Sequence, residues 1–352
     1  MRKSSMVSEL KQTNPLISIV IPVYNAKDTI LRTLDLLRMQ TYKAIEIICI
    51  DDGSTDTTPE LLHNEAQKDS RIRIIQTANQ GAYKARRLGI RHARGDYIGF
   101  CDADDEPLPD MFEKLLRRAT ETAADIVVSA YYRCSDGEVM STEMQWRGGN
   151  ARNVTPNSGW VTSINPAFWN KLFKASVARQ GIALDNPPRI TEDALFFLSV
   201  IPLAGKIAFL SEPVYKYNYP EDSSTNHLDA TELTSILENW RIARECVLGR
   251  SPDFSLIFDW SAFIHIAISS QLSMIKGGSI TKESSLYISR NMNSLFPKIK
   301  DSPFSKFNYF YQNRDTATLP YLAYKLYKCG LLPVALRAYQ KLTELSGMER
   351  KW

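Results

Sequence analysis

Two apolar runs of this chain end in paired carboxylates. Ile45 to Thr58 reads IEIICIDDGSTDTT, and Asp96 to Asp105 reads DYIGFCDADD. In an open α/β sheet, ligands sit outside the carboxyl ends of the strands, so two acidic strand tips face a single crevice. Asp102 and Asp104, one residue apart, suit a divalent cation, and oxygen-only donors favour Mg2+ or Mn2+ over zinc. The run from Asp102 to Glu106 holds four carboxylates, which repel one another unless a cation neutralises them. The alternatives at this tip are a solvated acidic loop or a calcium site, and EF-hand spacing is missing. At the first tip, Asp51 or Asp52 can accept a hydrogen bond from a ribose or a base N–H. Equally, either can cap the next helix, a position for which Ser54, Thr55 and Asp56 compete.

The elements that carry these tips alternate. Strand patterns are expected over Ile17 to Val23, Ile45 to Ile50, Arg71 to Gln76, Tyr97 to Phe100 and Ile126 to Tyr131. Helical patterns run from Lys27 to Met39, from Thr58-Pro59 onward and from Gly81 to Arg94. A proline at a first helical position after threonine marks the second of these starts. The rhythm predicts a doubly wound, mostly parallel α/β sheet. Residues Ser135 to Ser163 read as a long loop or irregular hairpin over the crevice. Helices are expected near Pro166 to Val177, from Thr191 to Leu203, and through most of the chain beyond Ala230.

Four blocks, ISIVIPVYN (Ile17 to Asn25), DDGSTD (Asp51 to Asp56), NQGAYKARRLG (Asn79 to Gly89) and GDYIGFCDAD (Gly95 to Asp104), resemble in order the family 2 glycosyltransferases of the GT-A fold. FWNKLFK (Phe168 to Lys174) followed by TEDALF (Thr191 to Phe196) extends the resemblance. It implies a nucleotide-diphospho-sugar transferase that inverts the anomeric carbon, with a UDP-sugar donor. It implies that Pro22, Tyr24 and Asp52 cradle base and ribose, with Asn79, Gly81 and Arg86 near the nucleotide and its phosphates. Asp102 and Asp104 are similar to the family's metal-binding DXD pair, with Asp104 the direct ligand of Mn2+ or Mg2+. Asp193 resembles the catalytic base, and Glu192 beside it would orient the acceptor or sugar. The chain departs from the pattern at Arg87, where the family often has Asn, and at Asn218, where it often has Arg. Arg87, Lys216 or His227 are then the candidates for the missing phosphate contact, and His227 is also a candidate metal ligand. Without the family, Glu192-Asp193 reads as the acidic first turn of a helix.

The boundaries expected are a flexible N-terminus over 1–15, a GT-A domain over 16–228 and a helical region over 229–352. A net charge of +4 (43 Lys and Arg against 39 Asp and Glu) is too small to argue for nucleic acid. Five cysteines without CxxC spacing give no disulfide framework or zinc site and fit a reducing cytoplasm. The N-terminus lacks an apolar signal region, and Phe254 to Ile275 is too polar for a membrane span. Pro297 to Arg314 interleaves Lys298, Lys300, Lys306 and Arg314 with five aromatic residues, and the last thirty residues are basic. That composition suits helix packing or peripheral contact with the inner face of the cell membrane. By the resemblance, the acceptor is a glycan or a lipid-linked saccharide in surface polysaccharide synthesis; a homo-oligomer is compatible with the sequence. The competing classes are a non-catalytic sugar-binding scaffold and a sugar nucleotidylyltransferase, though Pro22-Val-Tyr-Asn-Ala-Lys lacks the latter's glycines.

Overall fold

The chain alternates strand and helix from β1 (Ile17–Val23) through α1 (Ile30–Arg38), β2 (Ile45–Asp51), α2 (Thr58–Lys68), β3 (Ile72–Gln76) and α3 (Ala82–His92) to β4 (Tyr97–Phe100). This computed structural model describes residues 14–135, 137–143, 151–219, 228–299 and 318–346. After β4 come β5 (Glu106–Pro107), α4 (Met111–Thr122), β6 (Ile126–Ser135), β7 (Glu138–Glu143) and β8 (Ala151–Asn153). Then follow β9 (Lys171–Lys174), α5 (Ala175–Ala178), α6 (Glu192–Val200) and β10 (Lys206–Asn218).

The sheet runs β3-β2-β1-β4-β9-β6-β10-β5, with β7 on β6 and β8 on β10. Its first four strands are parallel, as alternating strand and helix demands. Beyond β4 the sheet is mixed: β9 lies antiparallel to both β4 and β6, while β10 runs parallel to β6. Side-chain alternation sorts the apolar residues onto two faces. Ile17, Ile19, Ile21, Ile47 and Cys49 pack with α1, α2 and α4, whereas Val20, Ile48, Ile50 and Phe100 face α3 and the C-terminal helices. The result is an α/β/α sandwich, and one of its apolar layers continues into the C-terminal region.

That region holds α7 (Leu233–Arg250), α8 (Ser255–Ala262), a π-helical segment (Phe263–Ser270) and α9 (Gln271–Lys276). α10 (Lys282–Leu295), α11 (Thr318–Lys328) and α12 (Leu332–Ser346) complete it. Among the described residues no helix is long and apolar enough to cross a membrane.

One expectation needs correction. The segment expected as a helix near Pro166 to Val177 instead carries the strand β9, with only the single turn α5 behind it. Its apolar residues are equally compatible with either element, and the open slot between β4 and β6 decides for the strand. The Ser135 to Ser163 stretch includes the irregular hairpin expected there: β7 runs antiparallel on β6 with a register shift between Arg133 and Cys134, and β8 joins β10. The aromatic-basic segment from Lys300 onward, Arg350 and Lys351 lie outside the described residues.

Candidate functional site

β1 lies between β2 and β4, and the chain order reverses across it, so the switch point of the sheet is at the end of β1. A cleft of about 410 Å³ opens there, with Pro22 to Ala26 beneath, Asp52 on one side and Asp102 to Asp104 on the other. Local bonds hold the loops together: Asn25 N–H donates to Ser54 Oγ at 3.0 Å, Thr55 N–H donates to Asn25 Oδ1 at 2.8 Å, and Ala26 N–H donates to Thr58 Oγ1 at 2.9 Å. Gly53 has φ +75°, and a Cβ there would stand 2.8 Å from the Asn79 backbone nitrogen. Only glycine permits that turn and that approach.

Neither acid of the first tip caps α2. Asp51 accepts from Ser54 N–H at 3.1 Å, whereas Asp52 accepts from Gln80 N–H at 2.9 Å and Gly81 N–H at 2.7 Å. Asp52 thus organises the start of α3, and its lone-pair capacity leaves room for a ligand hydroxyl. Tyr24 is half exposed at the rim. Gly81 lies at the N-terminus of α3, and Asn79 is exposed and does not line the cleft.

α3 carries Arg86 into the cleft. It lies hard against β1 at Gly89, where a Cβ would meet Val20 Cγ1 at 2.2 Å. The Arg86 guanidinium is 2.6 Å from Asp102 and 4.0 Å from Glu192, and lies over the Phe168 ring at 5.0 Å. Burial works against its charge, but Asp102, Glu192 and Asp193 outweigh it and raise its pKa. Arg86 therefore joins the DXD tip to the N-terminus of α6. Arg87 turns the other way, toward the Ala178 carbonyl and the Phe196 ring, and Lys216 pairs with Glu106 at 3.5 Å. Neither of these two lines the cleft. His227 lies outside the described residues.

The four acids of the second tip separate by role. Asp105 is buried, accepts from Tyr215 Oη at 2.9 Å and from Asn218 N–H at 2.8 Å, and is pushed well up by burial and by Asp102 and Asp104. Glu106 is paired with Arg32 at 2.7 Å. Asp102 and Asp104 remain at the cleft. Burial and the neighbouring Asp102 charge raise the Asp104 carboxyl. A divalent ion fits this donor set: two carboxylates plus substrate phosphate oxygens are how Mg2+ is commonly held. Among the described residues no three His, Cys, Asp or Glu side chains converge.

Glu192 and Asp193 form the first turn of α6. Burial, with the Asp193 charge, pushes Glu192 up to about 8, against the pull of Arg86. Sequence reasoning missed Lys171, although it lies in the FWNKLFK block. Its ammonium is fully buried and donates to Asn165 O at 2.5 Å, Ala167 O at 2.6 Å and Asn170 Oδ1 at 2.7 Å. Burial lowers its pKa to about 7, while Asp193 opposes the drop. No local signal marks Tyr215 or Asn218 as supports of the acidic loop, because both reach it from β10, over a hundred residues away.

Comparison with known proteins agrees with the fold. The model of glycosyl transferase family 2 matches residues 18–179. Glycosyltransferase GlyG of Streptococcus pneumoniae serotype 4 is 32% identical over 219 residues, covering 57% of this chain and 70% of that protein. The uncharacterized glycosyltransferase EpsJ of Bacillus subtilis (strain 168) is 33% identical over 220 residues, 60% of this chain, and the match spans 63% of EpsJ. The fold matches S. aureus TarS residues 1–349 in complex with UDP-GlcNAc at a TM-score of 0.67 and 16% identity, covering 96% of this chain and 93% of that one.

Proposed function

The chain belongs to glycosyl transferase family 2, and from that membership and the cleft geometry we propose that it moves a sugar, with inversion, from a UDP-sugar to a hydroxyl of a glycan or lipid-linked acceptor. One observation carries the proposal: Arg86 bridges Asp102 and Glu192, so residues about ninety apart in sequence meet at the switch point of the sheet. In this reading Pro22, Tyr24 and Asp52 hold base and ribose, and Arg86 faces the diphosphate. Asp104 and Asp102 would hold Mn2+ or Mg2+, which as a Lewis acid offsets the charge that builds on the departing phosphate oxygen.

Asp193 takes the proton of the acceptor hydroxyl. The freed oxygen attacks the anomeric carbon as the bond to the diphosphate breaks on the opposite face, so a single in-line displacement inverts the centre. Glu192, protonated up to about pH 8, donates a hydrogen bond to the acceptor or sugar and leaves the base role to its neighbour. A divided pair of this kind is how one site runs acid and base chemistry at neutral pH.

The test is calorimetric titration of UDP, with GDP and CMP as controls, with and without Mn2+, on wild type and Asp104→Ala. Metal-dependent UDP binding that the variant loses is the expected result. If no nucleotide binds under either condition, the donor site is refuted and a non-catalytic scaffold takes its place.

A further inference from the structure

Thr191, the residue before the Glu192-Asp193 pair, has a left-handed backbone with φ 70° and ψ 2°. A β-branched residue is strained there, and such strain persists only where the surrounding structure holds it. The holding contact comes from the C-terminal region: Trp240 Nε1–H on α7 donates to Thr191 Oγ1 at 3.0 Å. Asn239, beside Trp240, adds a second tie by donating to Asn186 O at 2.9 Å in the loop that leads to Thr191. Trp240 is itself fully buried and fixed, stacked on His265 at 5.7 Å and edge-on to Phe258 at 5.5 Å. His265 stands on the π-helical segment, a geometry that recurs at functional sites. The Asp193 charge reaches it and opposes the lowering of its pKa by burial. Thr191 O in turn accepts the first helical bond of α6, from Leu195 N–H at 3.1 Å.

We propose that Trp240 is a positioning residue of the transferase site: by holding Thr191 left-handed it aims the Glu192 and Asp193 carboxylates. The C-terminal helices therefore complete the reaction centre rather than only cover the sheet. The kinetic consequence rests on the transferase reading above; the contact itself does not.

The test uses the full chain, with hydrolysis of UDP-GlcNAc, UDP-glucose and UDP-galactose as probes. Trp240→Phe keeps an aromatic ring and removes the donor. Its kcat should fall about 10-fold or more with KM for the nucleotide within about twofold, since misplacing a reacting group by ~1 Å can cost up to ~100-fold. Thr191→Val breaks the same bond from the other end, should fall comparably, and keeps the proposal testable if Trp240→Phe does not fold. Thr191→Asn, a residue that tolerates the left-handed region, should restore Trp240→Phe to within about threefold of wild type, by the same positioning argument. A merely structural tryptophan would show no such rescue. Amide exchange at Leu195, faster in Trp240→Phe, is the readout that needs no turnover. Wild-type kcat in both single variants, or loss without rescue, overturns the proposal. If the wild type turns over none of the three sugars, kcat reads neither way, and the nucleotide titration above decides the transferase reading. Leu195 exchange then decides alone: acceleration supports the positioning contact and no change overturns it.

Discussion

Arg86→Met removes the cation that, among the described residues, joins the two acidic halves of the site, while keeping side-chain length. Breaking a buried ion pair by deleting one partner costs about 3–5 kcal/mol. The Asp102 side chain keeps 23% of its surface and Arg86 10%, so water screens part of the stranded charge and about 2 kcal/mol remains. Loss of the contact over Phe168, at 5.0 Å, adds about 1 kcal/mol. The variant is therefore expected to lose about 3 kcal/mol, and Asp102→Asn, which takes from the guanidinium its nearest counter-charge, about 2 kcal/mol. The double variant strands neither charge and should lose about 3 rather than 5 kcal/mol, a coupling of about 2 kcal/mol. Urea-unfolding midpoints of the four proteins, compared at equal m-values, measure this cycle. Additivity within about 0.5 kcal/mol would mean that Arg86 and Asp102 do not act on each other, and the argument that Arg86 links the two halves would fall with it.

Glu192 makes stability pH-dependent with a definite sign. Its carboxyl has an ordinary value of 4.5 and is pushed up to about 8 in the fold, so between those values the native state holds a proton that the unfolded chain has released. Stability attributable to this group is complete below pH 4.5 and declines as pH rises to 8, by about 1.4 kcal/mol per pH unit for one proton. Glu192→Gln should flatten that decline in urea midpoints taken across the window; an unchanged slope refutes the assignment. Tyr215→Phe deletes a hydroxyl that donates to Asp105 at 2.9 Å and accepts Asp102 N–H at 3.1 Å. Leaving these buried groups short of a partner should cost about 1–3 kcal/mol, seen as a lower thermal midpoint together with weaker metal-dependent UDP binding. A variant matching wild type in both would show that the Tyr215 hydroxyl does not support the acidic loop.

Much of the site is local in origin and legible in the sequence. β1, β2 and β4 are apolar runs that end in Asn25, Asp51-Asp52 and Asp102-Ala103-Asp104, and parallel strands must present such ends on one side of a sheet. Strand identity, tip chemistry and the shared crevice all follow from residues within a few positions of one another. β9 did not follow, because four residues of mixed pattern, Lys171 to Lys174, suit helix or strand until β4 and β6 offer an edge on each side. Nor did the division of labour in the second tip. Asp105 looks like its neighbours in the sequence, and only the arrival of Tyr215 and Asn218 from β10 turns it inward. The same holds for Thr191, whose left-handed backbone opposes its own preference and depends on Trp240, 49 residues further along the chain. Short-range periodicity and turn chemistry are written residue by residue. Charge pairing, burial and strain depend on which distant side chains meet, and that meeting exists only once the chain has folded.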